Sequence, residues 1–244
     1  MGSFSPLKNA GWSQGLYEVS STQKEALGAL RITEDGRKFR YGLAAGTLVA
    51  GGAVFGAADV DNHIAVVQTG YTNSLGASSV TVLVGATAVT ANQYDEGYLV
   101  MYRGAAGTVG HYYKIISHTV SAAGSETITV LVKDPLHKAT VATDYFSLYA
   151  NPYKAIVAAT DIATNYLGQA FVGMTTGQYG WFQTGGFGVC LGGDTATMGY
   201  PIGPSDTESS LEVASETQAG MIVGYAYAGN LVSGYYTSVY LTMD

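Results

Sequence analysis

The chain predicts an all-β fold: a β-sandwich or barrel-like body of many short antiparallel strands, with an extended N-terminal arm and little helix. Three observations carry this. Glycine accounts for 33 of the 244 residues, nearly double its share of about 7% in ordinary domains, and no Gly-X-Y period assigns the excess to collagen. Charged residues are only 12%, about half the ~25% of a typical domain, which argues against disorder, a coiled coil or a charged helical bundle. Short runs rich in Val, Thr and Tyr recur between Gly, Ser and Asn turns, the pattern of sandwiches and barrels.

Residues 1–23 lack any periodicity and read as the arm, with Trp12 and Tyr17 as aromatic anchors. Such a segment cannot bury enough surface alone to offset its ordering entropy. It is therefore expected to pack on a neighbouring copy or on a partner. Residues 24–244 form the β-rich body, and any division of that body into two subdomains is placed near residues 151–160, around the Asn151-Pro152 turn.

Within the body, Leu27–Ile32 and Lys38–Leu43 flank Glu34-Asp35-Gly36, and Asp-Gly between extended runs is a strong hairpin signal. Residues 44–56 are small and apolar but too rich in glycine for a stable helix. Strands are expected at His63–Thr69, Ser79–Val84 and Tyr98–Arg103. His111–Val120 and Glu126–Lys133 form a second hairpin across a five-residue, Gly-containing link. Further strands are expected at Phe146–Tyr149, Ala155–Ala159, Gln169–Met174, Tyr179–Thr184, Met221–Ala228 and Tyr235–Met243. Two short helical candidates remain. Ser205–Ser215 opens like a capping box, with Glu208 three residues after Ser205, and Val157–Leu167 is weaker. Val66–Tyr71 and Trp181–Gly186 each place Gln-Thr-Gly after an apolar pair. This reads as chance similarity in a Gly/Thr-rich chain, with a duplicated β unit as the alternative.

The net charge of −7 lies wholly in the last 90 residues, which hold seven acids and no base after Lys154. Such a half repels phosphate backbones, so no nucleic-acid partner is expected, and it should form a negative outer face. The one basic cluster is Arg31, Arg37, Lys38 and Arg40. It reads as the solvated edge of a hairpin, with docking on an acidic protein partner as the sharper alternative.

Chemistry is sparse. The single cysteine, Cys190, lies in an apolar run and reads as a buried small hydrophobe. The histidines (His63, His111, His118, His137) form no metal-binding spacing, and seven residues of separation put His111 and His118 on opposite faces of a continuous strand. Asp59-Val60-Asp61-Asn62 lacks the rest of a calcium loop and reads as a solvated turn. No phosphate loop, dinucleotide fingerprint or nucleophile elbow is present. No cofactor, no metal and no enzymatic activity are expected. Neither a leader peptide nor an apolar run of about 18 residues is visible, so no membrane partner is expected and synthesis in a cytoplasm is.

Leu27-Gly28, Asp35-Gly36-Arg37-Lys38-Phe39-Arg40-Tyr41 and the small-residue stretch Ala44–Gly52 resemble virion proteins of tailed bacteriophages. Asn151-Pro152-Tyr153, Tyr179–Gly186, Gly220–Ala226 and Val239–Leu241 extend the likeness, and the last pieces are similar to head decoration, or cement, proteins. The resemblance implies a β-rich fold, no cofactor, and a homo-oligomer (trimer or dimer) on the capsid lattice. The implied partner is the major capsid protein, on the outside of the head. There the protein would stabilise the shell against internal DNA pressure. It supplies no binding residues. The candidate interface residues are therefore Trp12, Tyr17, Arg31, Arg37, Lys38 and Arg40. The alternative function is a tail- or fibre-associated virion protein that binds host-surface glycans.

Overall fold

The computed structural model describes residues 11–56, 58–103, 110–124, 126–159, 165–195, 197–214, 221–227 and 233–244. These residues are nearly all β. In chain order the strands are β1 (Leu30–Ile32), β2 (Lys38–Leu43), β3 (Ala53–Phe55), β4 (Val66–Val67), β5 (Ser79–Leu83), β6 (Tyr98–Arg103), β7 (Gly110–His118) and β8 (Thr127–Val132). They continue as β9 (Asp144–Tyr149), β10 (Val157–Ala158), β11 (Tyr166–Ala170), β12 (Tyr179–Gly192), β13 (Pro201–Pro204), β14 (Ser210–Val213), β15 (Gly224–Ala226) and β16 (Tyr236–Thr242). One 3-10 turn, Asp61–His63, is the only helical element among the described residues.

The chain forms two compact units, one from Met1–Ala57 with Pro152–Asp244 and one from Ala58–Asn151. The return crossing falls at the Asn151-Pro152 turn. The outgoing one, at Ala57, has no counterpart in the sequence reading. This division redistributes the charge. The first unit holds seven bases and eleven acids, net −4, and the second four bases and seven acids, net −3. The acidic last 90 residues are thus not a separate body, because they share a sheet with the basic N-terminal strands.

In the first unit, β12 is the spine. Its first half lies between β2 and β11, and its second half pairs with β16. The switch occurs at Gly185-Gly186, where the β2 register shifts between Gln183 and Gly185. Gly186 has φ +84° there, and a Cβ on it would lie 3.0 Å from the Arg37 Cα, so only glycine fits this bulge without strain. Beyond it, β12 pairs with β14, β14 with β13, β13 with β15, β15 with β16, and β16 with β12 again. That ring is a closed five-stranded barrel filled by Cys190, Ile202, Leu211, Val223, Val239 and Leu241. Burial pushes the Cys190 thiol up to about 12, so the cysteine acts as a small hydrophobe. On the other side of the bulge, Trp181 and Phe182 point to opposite faces of the sheet. Phe182 joins Ile156, Leu48 and Met174, while Trp181 joins Phe39, Tyr41, Leu16 and Leu27.

The second unit is a curled sheet in the order β4-β9-β6-β7-β8-β5. The β8 sequence Thr-Ile-Thr-Val-Leu-Val alternates exposed and buried along its whole length, as a strand with one wet face must. Its inner face meets Leu99, Met101, Ile115, Phe146 and Leu148 in one core.

Several expectations are corrected. Residues 205–213 are not helical. Ser205 Oγ accepts the Thr207 N–H at 3.0 Å and Ser210 Oγ donates to the Thr207 carbonyl at 2.6 Å, so the capping signature makes the turn between β13 and β14. The candidate's last residue, Ser215, lies outside the described residues. Residues 157–159 and 165–167 are strand and its flanks rather than helix, with 160–164 outside the description. His111 and His118 share the inner side of β7, because a register shift between Ile115 and Ser117 inserts one residue and reverses the parity. The two Gln-Thr-Gly segments lie in different units and on strands of different lengths and pairings, although both place a buried glutamine.

Candidate interaction surfaces

The expected arm falls partly outside the described residues, and residues 11–23 pack against their own chain. Ser20 bridges Tyr179, with its N–H donating to the Tyr179 carbonyl at 3.0 Å and its carbonyl accepting at 2.7 Å. The Trp12 ring meets Trp181 edge-on at 5.1 Å. The Gln14 carbonyl accepts from Arg31 Nη1 at 3.0 Å and from Trp181 Nε1 at 3.2 Å, and its side-chain oxygen accepts the Tyr41 hydroxyl at 2.6 Å. The physical reason is Trp181 itself. It is fully buried and needs both a cover and an acceptor for its indole N–H. Tyr17 is exposed, with its ring 4.8 Å from Phe171.

The basic cluster is also engaged internally. Arg31 is buried, with its guanidinium 5.4 Å from the Trp181 ring and 6.0 Å from Trp12, and burial lowers its pKa despite Glu25. Arg37 pairs with Asp35 at 2.7 Å and lies over Phe39 and Phe171. Lys38 Nζ donates to the Asp244 main-chain oxygen. Arg40 grips the Asp244 carboxylate with Nε at 3.0 Å and Nη2 at 2.9 Å. Thr184 Oγ1 donates to the same carboxylate at 2.6 Å. Asp244 thus ties the end of β16 to β2 and β12.

Two surfaces escaped the sequence reading. On the outer face of the second unit, register pairs Tyr98 with Tyr149 and Lys114, Val100 with Tyr112, and Tyr102 with Tyr145. Three adjacent strands therefore present five tyrosines. Tyr102 stacks on Tyr145 with centroids 5.6 Å apart, and Tyr112 is 74% exposed, more than any other ring of the row. The Lys114 ammonium on this face has its Nζ 4.5 Å over the Tyr98 ring and donates to the Glu96 carbonyl. The signal was available, because Tyr98, Val100 and Tyr102 alternate with Leu99 and Met101.

The second surface is a cleft of about 480 Å³ in the first unit. Its lining includes the buried amide pair of Gln169 and Gln183, the rings of Phe171, Phe187 and Tyr236, and Arg37. Gln169 and Gln183 face each other across the β11–β12 register, a pairing that sequence spacing alone does not reveal. Among the described residues, no group of three or more His, Cys, Asp or Glu side chains is placed to hold a metal ion.

No protein family, curated protein or solved structure matches the chain.

Proposed function

We propose that this chain is a virion structural protein, a decoration or cement protein that binds the major capsid protein on the outside of a tailed-phage head. The observation that supports this reading most is the tyrosine face of β6, β7 and β9. Rigid amphipathic rings supply large contact area at low entropic cost, and tyrosine is enriched at interface centres while Lys and Glu are depleted. Among its described side chains the one cation is held by Tyr98 and Glu96, which makes this part of the surface electrically quiet and suited to close protein contact. The chain would act mechanically as a homo-oligomer bridging neighbouring capsid subunits. Weak contacts repeated around the shell become collectively strong and oppose the outward push of packaged DNA.

Co-sedimentation of the purified full chain with empty heads of the phage that encodes it tests this. The wild type is expected to pellet with heads, and Tyr112→Ala to pellet at least about tenfold less with an unchanged melting temperature, since Tyr112 is exposed. Failure of the wild type to pellet overturns the function. Undiminished pelleting of the variant overturns the assignment of the face.

A further inference from the structure

We propose that the Gln169–Gln183 cleft of the first unit is a binding site for a neutral saccharide unit. The inference does not depend on capsid docking, because the cleft and the tyrosine face belong to different units.

The amide pair is the starting point. Gln183 Nε2 donates to the Phe187 carbonyl at 2.7 Å and the Gly185 carbonyl at 3.2 Å. Two carbonyl acceptors fix which end of this amide is nitrogen, so its Oε1 is the atom left for Gln169. Gln169 Nε2 donates to that oxygen at 3.3 Å. Turning Gln169 over would set two oxygens against each other, so its orientation is fixed too. The consequence is an orphan: Gln169 is 98% buried, and its Oε1 has no hydrogen-bond partner among the described residues. A buried acceptor left unmade is unfavourable, and native structures rarely keep one without a reason. A ligand that brings a hydroxyl or N–H donor removes the deficit.

Gly188 lines the cleft beside the amides. A Cβ there would lie 2.6 Å from Gln169 Nε2 and 3.3 Å from both terminal atoms of Gln183. Any side chain at that position would occupy the space above the pair. Glycine in the interior of a strand weakens it and often marks a close approach.

The walls define the ligand class. Phe171 is half-buried and fixed by Phe39 at 5.0 Å. Phe187 and Tyr236 are 46% and 56% exposed, and Phe187 is braced edge-on by Tyr227 at 5.1 Å. Large rings held open to solvent beside buried polar groups match a ligand with one apolar C–H face and a polar edge. The charge of Arg37 is offset by Asp35, which takes its Nε at 2.7 Å, so the lining carries no cation dedicated to an anionic guest. A neutral pyranose meets each condition: a hydroxyl donor for Gln169 Oε1, an acceptor for the one amide N–H left over, on Gln169, C–H faces for the rings, and no net charge. The cleft volume falls within the range of small-molecule sites.

Saturation-transfer NMR on the full chain, with glucose, galactose, mannose and N-acetylglucosamine as probes and sialic acid as the anionic control, tests the proposal. At least one neutral sugar is expected to receive saturation. Its signal should disappear in Gln169→Met and fall at least about tenfold in affinity in Tyr236→Ala, whose exposed position spares the fold. Transfer to none of the four neutral sugars overturns the proposal. So does transfer to sialic acid alone, or transfer to a neutral sugar that is equal in wild type and Tyr236→Ala. Sugar binding without head binding would defeat the proposed function and leave this inference standing, and the reverse result would do the opposite.

Discussion

The side chain of Gln68 stands in for a missing strand beside Leu83: its Nε2 donates to the Leu83 carbonyl at 3.1 Å, and its Oε1 accepts the Leu83 N–H at 2.7 Å. Two residues earlier, Asn73 treats Thr81 the same way, at 3.1 and 2.8 Å. Gly85 N–H then donates to the Asn62 carbonyl at 2.9 Å. Thr81, Leu83 and Gly85 are the alternate residues whose backbone groups turn away from β8. The free edge of β5 is therefore closed by side-chain amides rather than left as a template for another chain.

Replacing Gln68 with Ala should leave both Leu83 backbone groups without partners. The expected loss is about 1–3 kcal/mol of stability, from two part-buried groups left unmade. Higher oligomers should appear on size-exclusion chromatography as the edge becomes available. An unchanged melting temperature would mean that water replaces the amide without loss.

Asp244 gives stability an acid-side limit. The hydrogen bond from Arg40, with help from Thr184 and Lys38, holds this carboxyl below its ordinary value against the opposing effect of burial. A lowered native pKa contributes fully above the unfolded value and is lost as pH falls through the native one. Asp244→Asn should thus lower stability by about 1 kcal/mol at pH 7. That difference should close as pH drops below about 4. Thermal melts of both proteins from pH 7 to pH 3 provide the check, and a gap that stays constant would contradict the pairing.

Trp12→Ala should act on the fold rather than on association. It removes the edge-on partner of Trp181 and one ring beside the Arg31 guanidinium. A loss of about 2 kcal/mol is expected from lost burial and ring contact, read by chemical denaturation. Light scattering should show an unchanged oligomeric state. A changed oligomer with unchanged stability would restore Trp12 to an interface.

Most strands were legible because their alternation is local. Thr127–Val132 and Tyr98–Arg103 show their period in six residues, and the Asp35-Gly36 turn brings β1 and β2 together as expected. The misreadings share one physical cause: a local signal compatible with two structures, decided by distant partners. Ser205 makes the same first hydrogen bond in a turn as at a helix cap. The strand at Tyr179 was read only to Thr184, yet it runs on through Gly185-Gly186 because β16 waits to pair with it. The bulge after Ile115 moves His118 inward, where its Nε2 accepts the Tyr94 N–H at 3.0 Å. The surfaces were harder still. Which face of a Tyr-rich strand stays uncovered depends on every neighbouring element, and the Gln169–Gln183 pair exists only in the register of β11 on β12.

The central claim is the proposed decoration role, and if it holds, the copy number of this chain in purified particles of its phage tests it most directly. Quantitative mass spectrometry against the major capsid protein would supply it. A decoration protein bound across the head lattice predicts hundreds of copies, close to the number of capsid subunits or a simple fraction of it. A few tens of copies or fewer, as for a tail or fibre part, or absence from the particle, would contradict it.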